Sequence, residues 1–252
     1  MAILEGKVAI VTGAGQGVGK GVAIALAKEG AAVAIPEINP DTATATADEI
    51  KAFGGKALAI TCDVSSREQV NAAYAAAVKE FGPVNILVNN AQWARPGVPI
   101  EAETDEGWNN TFASGVNATF YFMQACFPYM KENGGRIINF ASMAGTNGLE
   151  GMVAYAANKE AIRGLTRVAA HEWGQYNITV NVVLPWSSAP SWEMFQKNFP
   201  ELAAASVAQN PMRRVGDSEI DVGRAVVFLA GPDASYINGL NLHVDGGQAI
   251  LR

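Results

Sequence analysis

The stretch KVAIVTGAGQGVGKG, residues 7–21, runs from a short apolar segment into a loop with glycine at positions 13, 15, 17, 19 and 21. The apolar part shows no polar alternation, as suits a strand buried on both faces of a parallel sheet. The residues after the loop have helical periodicity, so the glycines stand where a strand ends and a helix begins. Position 18 is Val and position 20 is Lys, so the spacing is not G-x-G-x-x-G. It reads Thr-Gly-x-x-x-Gly-x-Gly, with Gly13, Gly17 and Gly19 as its glycines. Glycine permits positive φ and close backbone approach, and the first N–H groups of the helix are then free to face a pyrophosphate. A glycine-rich loop by itself is equally a tight turn. Its place between a buried strand and an amphipathic helix favours dinucleotide binding.

Similar apolar runs recur outward from this stretch: AAVAIPE (31–37), ALAITCDV (57–64), VNILVNNA (84–91), GRIINFAS (135–142), NITVNVVLP (177–185) and LNLHVDGG (240–247). Helical patterns lie between them at roughly 17–29, 41–53, 66–80, 104–132, 153–174 and 218–230, most opening with Ser, Thr or Asp. This alternation predicts an α/β fold, a doubly wound parallel sheet of about seven strands with helices on both faces. Ligands then bind outside the carboxyl ends of the strands. Residues 1–252 read as a single domain, with no internal repeat. The segment 185–217, rich in Pro, Ser and Trp, reads as a partly helical lid or a mobile loop that selects the substrate.

The composition, 49% hydrophobic and 17% charged, gives ample material for a core and no signature of disorder. A formal net charge of -6 disfavours nucleic acid and anionic membranes as partners, because both attract basic surfaces. The two cysteines, Cys62 and Cys126, have neither metal-ligand nor redox spacing and suit a reducing compartment. No apolar run reaches the length of a membrane span, and a cytoplasmic protein is expected. His171 and His243 are isolated, so no metal is expected.

The second strand ends at Glu37, eighteen residues beyond Gly19. An acid near this spacing meets the adenosine ribose hydroxyls and repels a 2′-phosphate, which favours NAD(H) over NADP(H). A solvated strand end is the plainer alternative for Glu37. Asp63, at the end of the third strand, suits the adenine edge. In GMVAYAANKEAIRG (151–164), Tyr155 and Lys159 lie four residues apart and share one helical face. By itself that pair is also what an ordinary helix offers.

Taken together in order, Thr12, Gly13, Gly17 and Gly19, then NNA at 89–91, Asn117, Ser142, Tyr155 and Lys159 make the chain resemble the short-chain dehydrogenase/reductase family over nearly its whole length. The resemblance implies a Rossmann-type fold and an NAD(H)-dependent oxidoreductase that interconverts a secondary alcohol and a ketone. It implies Tyr155 as general acid/base and a Lys159 ammonium that lowers the tyrosine pKa. Ser142 would hold the substrate oxygen, and Asn117 would distort its helix and carry a water toward the lysine. The implied cofactor contacts are Gly13, Gln16, Gly17, Val18, Gly19, Glu37, Asp63, Val64, Asn90, Ala91, Tyr155, Lys159 and Pro185. A non-redox lyase or epimerase and a non-catalytic NAD sensor are alternatives, which the intact Ser, Tyr and Lys disfavour.

The chain also departs from the family pattern. Gln92 and Trp93 follow NNA where the family has Gly, and Pro185 leads into Trp186, Ser187, Ser188 and Pro190 where the family has Pro-Gly and a Thr. A reshaped mouth is expected, with Ser187 or Ser188 replacing the Thr. Trp93, Trp186, Trp192 and Phe195 are expected to form an aromatic wall for a bulky or flat substrate, with Gln92, Met143 and Glu150 also lining the pocket and Glu101 at the rim. Trp108, Phe112, Val116, Phe120 and Met123 recur at helical spacing. In the family that helix and the one holding Tyr155 form subunit contacts, which implies a homo-oligomer, a dimer or tetramer.

Overall fold

The computed structural model describes residues 2–249. Seven parallel strands form one sheet in the order β3-β2-β1-β4-β5-β6-β7. The strands are β1 (Val8–Val11), β2 (Ala32–Glu37), β3 (Lys56–Thr61), β4 (Ile86–Asn89), β5 (Gly135–Phe140), β6 (Ile178–Pro185) and β7 (Asn241–Val244). The order runs one way from β1 to β3 and resumes on the other side of β1 with β4, so the switch point lies between β1 and β4. Register across that point is Ala9 opposite Ile86 and Val11 opposite Val88.

Continuous apolar strands are required because both faces are covered. Ala9 and Val11 enter the core beneath α1 (Gly17–Lys28), α2 (Pro40–Ala52) and the late helix Arg224–Ala230. Val8 and Ile10 enter the opposite core, beneath α3 (Arg67–Phe81) and two helices that come after β4 and β5. After β4 the chain forms α4 (Asp105–Phe112), a π-helical turn (Ala113–Asn117) and α5 (Ala118–Asn133). Thr104 caps this assembly through Gly107 N–H, 3.0 Å away. The expected single helix over 104–132 is therefore present with a distortion inside it.

After β5 come the short α6 (Met143–Asn147) and the long α7 (Val153–Trp173). The segment after β6 is helical: α8 (Pro190–Asn198) and α9 (Pro200–Gln209), each with proline in its first turn, where no N–H is needed. A Cβ on Gly17 would come within 3.2 Å of Pro190 Cδ and 3.3 Å of the Ala189 Cβ, so the start of α8 rests against the glycine loop. A π-helical turn (Ser218–Gly223) then leads into α10 (Arg224–Ala230). Among the described residues, no helix is long and apolar enough to cross a membrane.

Candidate active site

The glycine loop forms a cradle at the carboxyl end of β1. Gly13 and Gly17 have φ of 65° and 55°, a left-handed region that favours glycine. A Cβ on Gly13 would lie 2.8 Å from Ala91 Cα, and one on Gly19 would strike the Gly13 carbonyl and come within 2.5 Å of Asn90 Nδ2. Asn90 Nδ2 donates to the carbonyls of Thr12 at 3.0 Å and Gly13 at 3.1 Å. The Thr12 hydroxyl accepts from the N–H groups of Asn90 and Ala91, both at 3.0 Å. The loop is thus tied to the end of β4 across the switch point. Gln16 precedes α1 in extended conformation and provides no side-chain cap, so the first-turn amides of α1 have no side-chain acceptor. Val18 packs partly into the core below.

Glu37 faces this loop. Its carboxylate accepts from Gly15 N–H and Asn39 N–H, both at 3.1 Å. It therefore sits at the start of α2 and against the cradle. Asp63 accepts from the Ser65 N–H at 2.9 Å and its hydroxyl at 2.7 Å, and Val64 is buried beside it. A nicotinamide dinucleotide fits this arrangement: glycines a side chain would obstruct, helix amides without a side-chain acceptor, and an acceptor-only carboxylate where the ribose would lie.

At the carboxyl end of β5, Ser142 caps α6 by accepting from Ala144 N–H at 3.2 Å. Tyr155 lies in the first turn of α7, and Lys159 one turn later is 3% exposed. Lys159 Nζ donates to the Phe140 carbonyl at 3.0 Å and lies 5.4 Å from the Tyr155 ring centroid. Burial pushes the Tyr155 hydroxyl above its ordinary pKa, and its hydrogen bond with Ser142 pulls the other way. Burial also brings Lys159 down to about 7. In the chain alone, burial is the largest influence on both groups, because it disfavours the charged form of each.

A family model described as Enoyl-(Acyl carrier protein) reductase matches residues 13–249. A 12alpha-hydroxysteroid dehydrogenase of Clostridium sp. is 42% identical over 98% of each chain. A solved 7alpha-hydroxysteroid dehydrogenase complexed with NADH and 7-oxo glycochenodeoxycholic acid superposes with a TM-score of 0.91 at 36% identity, covering 97% of this chain and 94% of that one. A Serratia marcescens short-chain dehydrogenase/reductase variant superposes with a TM-score of 0.90 at 35% identity, covering 98% of this chain and 100% of that one. The chain belongs to the short-chain dehydrogenase/reductase family.

In this short-chain dehydrogenase/reductase, Ser142, Tyr155 and Lys159 lie together, the serine hydrogen-bonded to the tyrosine and the lysine ammonium beside its ring. The π turn does end at Asn117, so the helix is distorted there, yet the Asn117 side chain is exposed. Gly115, buried, faces α7 instead, where a Cβ would overlap the Asn158 amide. Asn158 is a residue that sequence reasoning misses. Its position three residues after Tyr155, on the same face, is the available signal.

The mouth is also rearranged. The Gln92 amide is taken up by backbone and by Asn158 rather than left facing a pocket. Trp186 and Trp192 meet edge to face at 5.4 Å between ring centroids, Phe195 adds to Trp192 at 5.7 Å, and Phe199 extends the row. Among the described residues Trp93 joins no ring pair; it is 44% exposed, and its N–H donates to Ser114 Oγ. The row, without Trp93, therefore belongs to the segment after β6, from Trp186 before α8 to Phe199 between α8 and α9. A cavity of about 560 Å³ opens between α8 and α9, lined by Trp192, Val207 and Arg213 among others. Pro185 closes β6 opposite Val244, Ser187 pairs its hydroxyl with Ser218 at 3.3 Å, and Met143 opens α6 half-buried. Glu101 and Glu150 are exposed.

Proposed function

We propose that the protein is an NAD(H)-dependent oxidoreductase that interconverts a ring-bearing secondary alcohol and its ketone. One observation carries this reading: Ser142, Tyr155 and Lys159 converge at the end of β5, on the same edge of the sheet as the glycine cradle. The hydroxysteroid names of the relatives support an alicyclic substrate, and the aromatic row from Trp186 to Phe199 supplies apolar surface to receive one. Helices α8 and α9 act as the lid.

The residues that would hold the dinucleotide are Gly13, Gln16, Gly17, Val18 and Gly19 at the pyrophosphate, Glu37 at the ribose, and Asp63 and Val64 at the adenine. Asn90, Ala91, Pro185, Tyr155 and Lys159 continue toward the nicotinamide. When bound there, the reduced dinucleotide would supply the hydride for the new C–H bond of the alcohol. The Ser142 hydroxyl donates to the ketone oxygen and stabilises the charge that develops there. Tyr155 gives its proton to that oxygen, and a Lys159 ammonium stabilises the tyrosinate left behind. In alcohol oxidation the same groups act in reverse.

Two buried, unpaired thiols, Cys62 and Cys126, suit the cytoplasm. Trp108, 38% exposed, and Phe120, 39% exposed, leave apolar surface along α4 and α5 that suits association of copies into a dimer or tetramer. The test is loss of NADH absorbance with a panel of steroidal, alicyclic and linear ketones, NADPH being run in parallel. Faster turnover of ring ketones with NADH supports the proposal. Tight NADH binding without turnover of any ketone overturns it.

A further inference from the structure

The π turn at Ala113–Asn117 lies against the helix that carries Tyr155 and Lys159, and two side-chain amides close the break in its backbone. Gln92 Nε2 donates to the carbonyls of Thr111 at 3.1 Å and Trp93 at 2.6 Å. Gln92 Oε1 accepts from Asn158 Nδ2 at 2.6 Å. Asn158 Oδ1 accepts from the Val116 N–H at 2.8 Å. The two amides thus run in series from the Thr111 carbonyl to the Val116 N–H, a pair at the i and i+5 spacing that a π-helix bonds directly. The Thr111 carbonyl also accepts from Ser114 Oγ at 3.4 Å, and the Val116 N–H, left unpartnered, would cost about 1–3 kcal/mol.

The bridge has three further marks of a built feature. Asn158 is fully buried. Gly115 is bare where a Cβ would overlap the Asn158 amide. Gln92 adjoins Ala91, which packs on the glycine cradle, and Asn158 adjoins Lys159. One chain of hydrogen bonds therefore spans the end of β4, the π turn and α7.

We propose that Gln92 and Asn158 are a positioning pair that holds the π turn open and so fixes the burial of Lys159 beside Tyr155. The part Lys159 then plays in turnover rests on the oxidoreductase reading; the bridge itself rests on geometry. Lys159 is faced by Tyr155 from its own helix and by the Phe140 carbonyl from β5. Among the described residues, no carboxylate forms a salt bridge with it. Burial is thus what depresses it, and a loosened turn that admits water raises it.

The test uses Asn158→Ala, Gln92→Ala, the volume-preserving Gln92→Met, and the double variant Gly115→Asn with Asn158→Ala, which returns an amide to the same space from the opposite helix. Lys159 titration is monitored by NMR on isotope-labelled lysine, and kcat and KM by NADH oxidation. In Asn158→Ala and both Gln92 variants the Lys159 titration rises by about one pH unit or more. There kcat falls about tenfold or more, while KM for NADH stays within about twofold. The double variant moves both back toward wild type. Gln92→Met decides the matter if the truncations do not fold. An unchanged Lys159 titration in a folded variant overturns the proposal, even if that variant melts earlier. A wild type that turns over no ketone overturns only the oxidoreductase reading, because titration and its recovery still decide the bridge.

Discussion

Lys159 carries the largest consequence that can be worked from the structure. It is 3% exposed, its Nζ has the Phe140 carbonyl as acceptor, and burial lowers it from 10.5 to about 7. Lys159→Met keeps the stem and removes the charge. In the wild type, the unfolded chain holds the lysine proton more strongly than the folded chain does between those two values. Stability therefore rises with pH from about 7 upward, and the full burial penalty is present below that. From pH 7 to pH 9 the rise is about 2 kcal/mol, since one pKa unit is about 1.4 kcal/mol and the group is already half neutral at its pKa.

Other groups bend the curve further up. Burial raises Cys62 from 9.0 to about 11, and Tyr155 above 10.0, so both remove stability as pH climbs past their ordinary values. Cys62 remains in the variant and cancels in the difference, while Tyr155 acts only past its ordinary value of 10.0, above the range measured. The methionine also leaves the Phe140 carbonyl without its donor, a cost of about 1–3 kcal/mol that does not depend on pH. Urea unfolding of both proteins at one concentration, across about pH 6 to pH 9, isolates the lysine. The wild type should gain about 2 kcal/mol relative to the variant between pH 7 and pH 9, with a level difference below pH 6. A difference that is flat across the whole range refutes the buried, depressed lysine.

Three further outcomes are expected. Tyr155→Phe should leave the Kd for NADH nearly unchanged while kcat falls about a hundredfold or more, read by fluorescence titration and steady-state kinetics; surviving turnover would move the proton to another group. Glu37→Ala should cut the NADH over NADPH ratio in kcat/KM about tenfold, and an unchanged ratio would show that another residue reads the ribose. Gly19→Ala puts a methyl group against the Gly13 carbonyl and Asn90 Nδ2, so NADH should bind at least about tenfold more weakly by titration calorimetry, and wild-type affinity would remove the loop from the site.

The strands inside the sheet are legible in the sequence because they are buried on both sides. In β1, Ala9 and Val11 serve one core and Val8 and Ile10 the other, so no polar alternation interrupts the run. The last helix is legible too, but α8 and α9 read only as a partly helical lid or a mobile loop. Pro190 and Pro200 each occupy a first helical turn, where proline costs nothing, so the two helices share one proline-rich stretch. The distortion at Ala113–Asn117 is conveyed by the family resemblance, through Asn117, and not by the helical pattern, since one extra residue in a helix changes the phase of everything after it without changing composition.

That phase change explains which part of the site the motifs convey. Ser142, Tyr155 and Lys159 stand at a strand end and along one regular helical face, where sequence spacing maps directly onto space. Asn117 ends the π turn with an exposed side chain, and two residues before it the buried Gly115 leaves room for the Asn158 amide. Gln92 reads as a mouth residue because the sequence shows what it replaces but not what it reaches: its partners come from α4 and α7, up to 66 residues away. The ionisation of the pair is further removed still. Four-residue spacing brings a lysine beside a tyrosine, but whether that lysine carries charge near neutral pH is decided by how deeply α7 and the turn against it exclude water, and that depends on the bridge formed by Gln92 and Asn158.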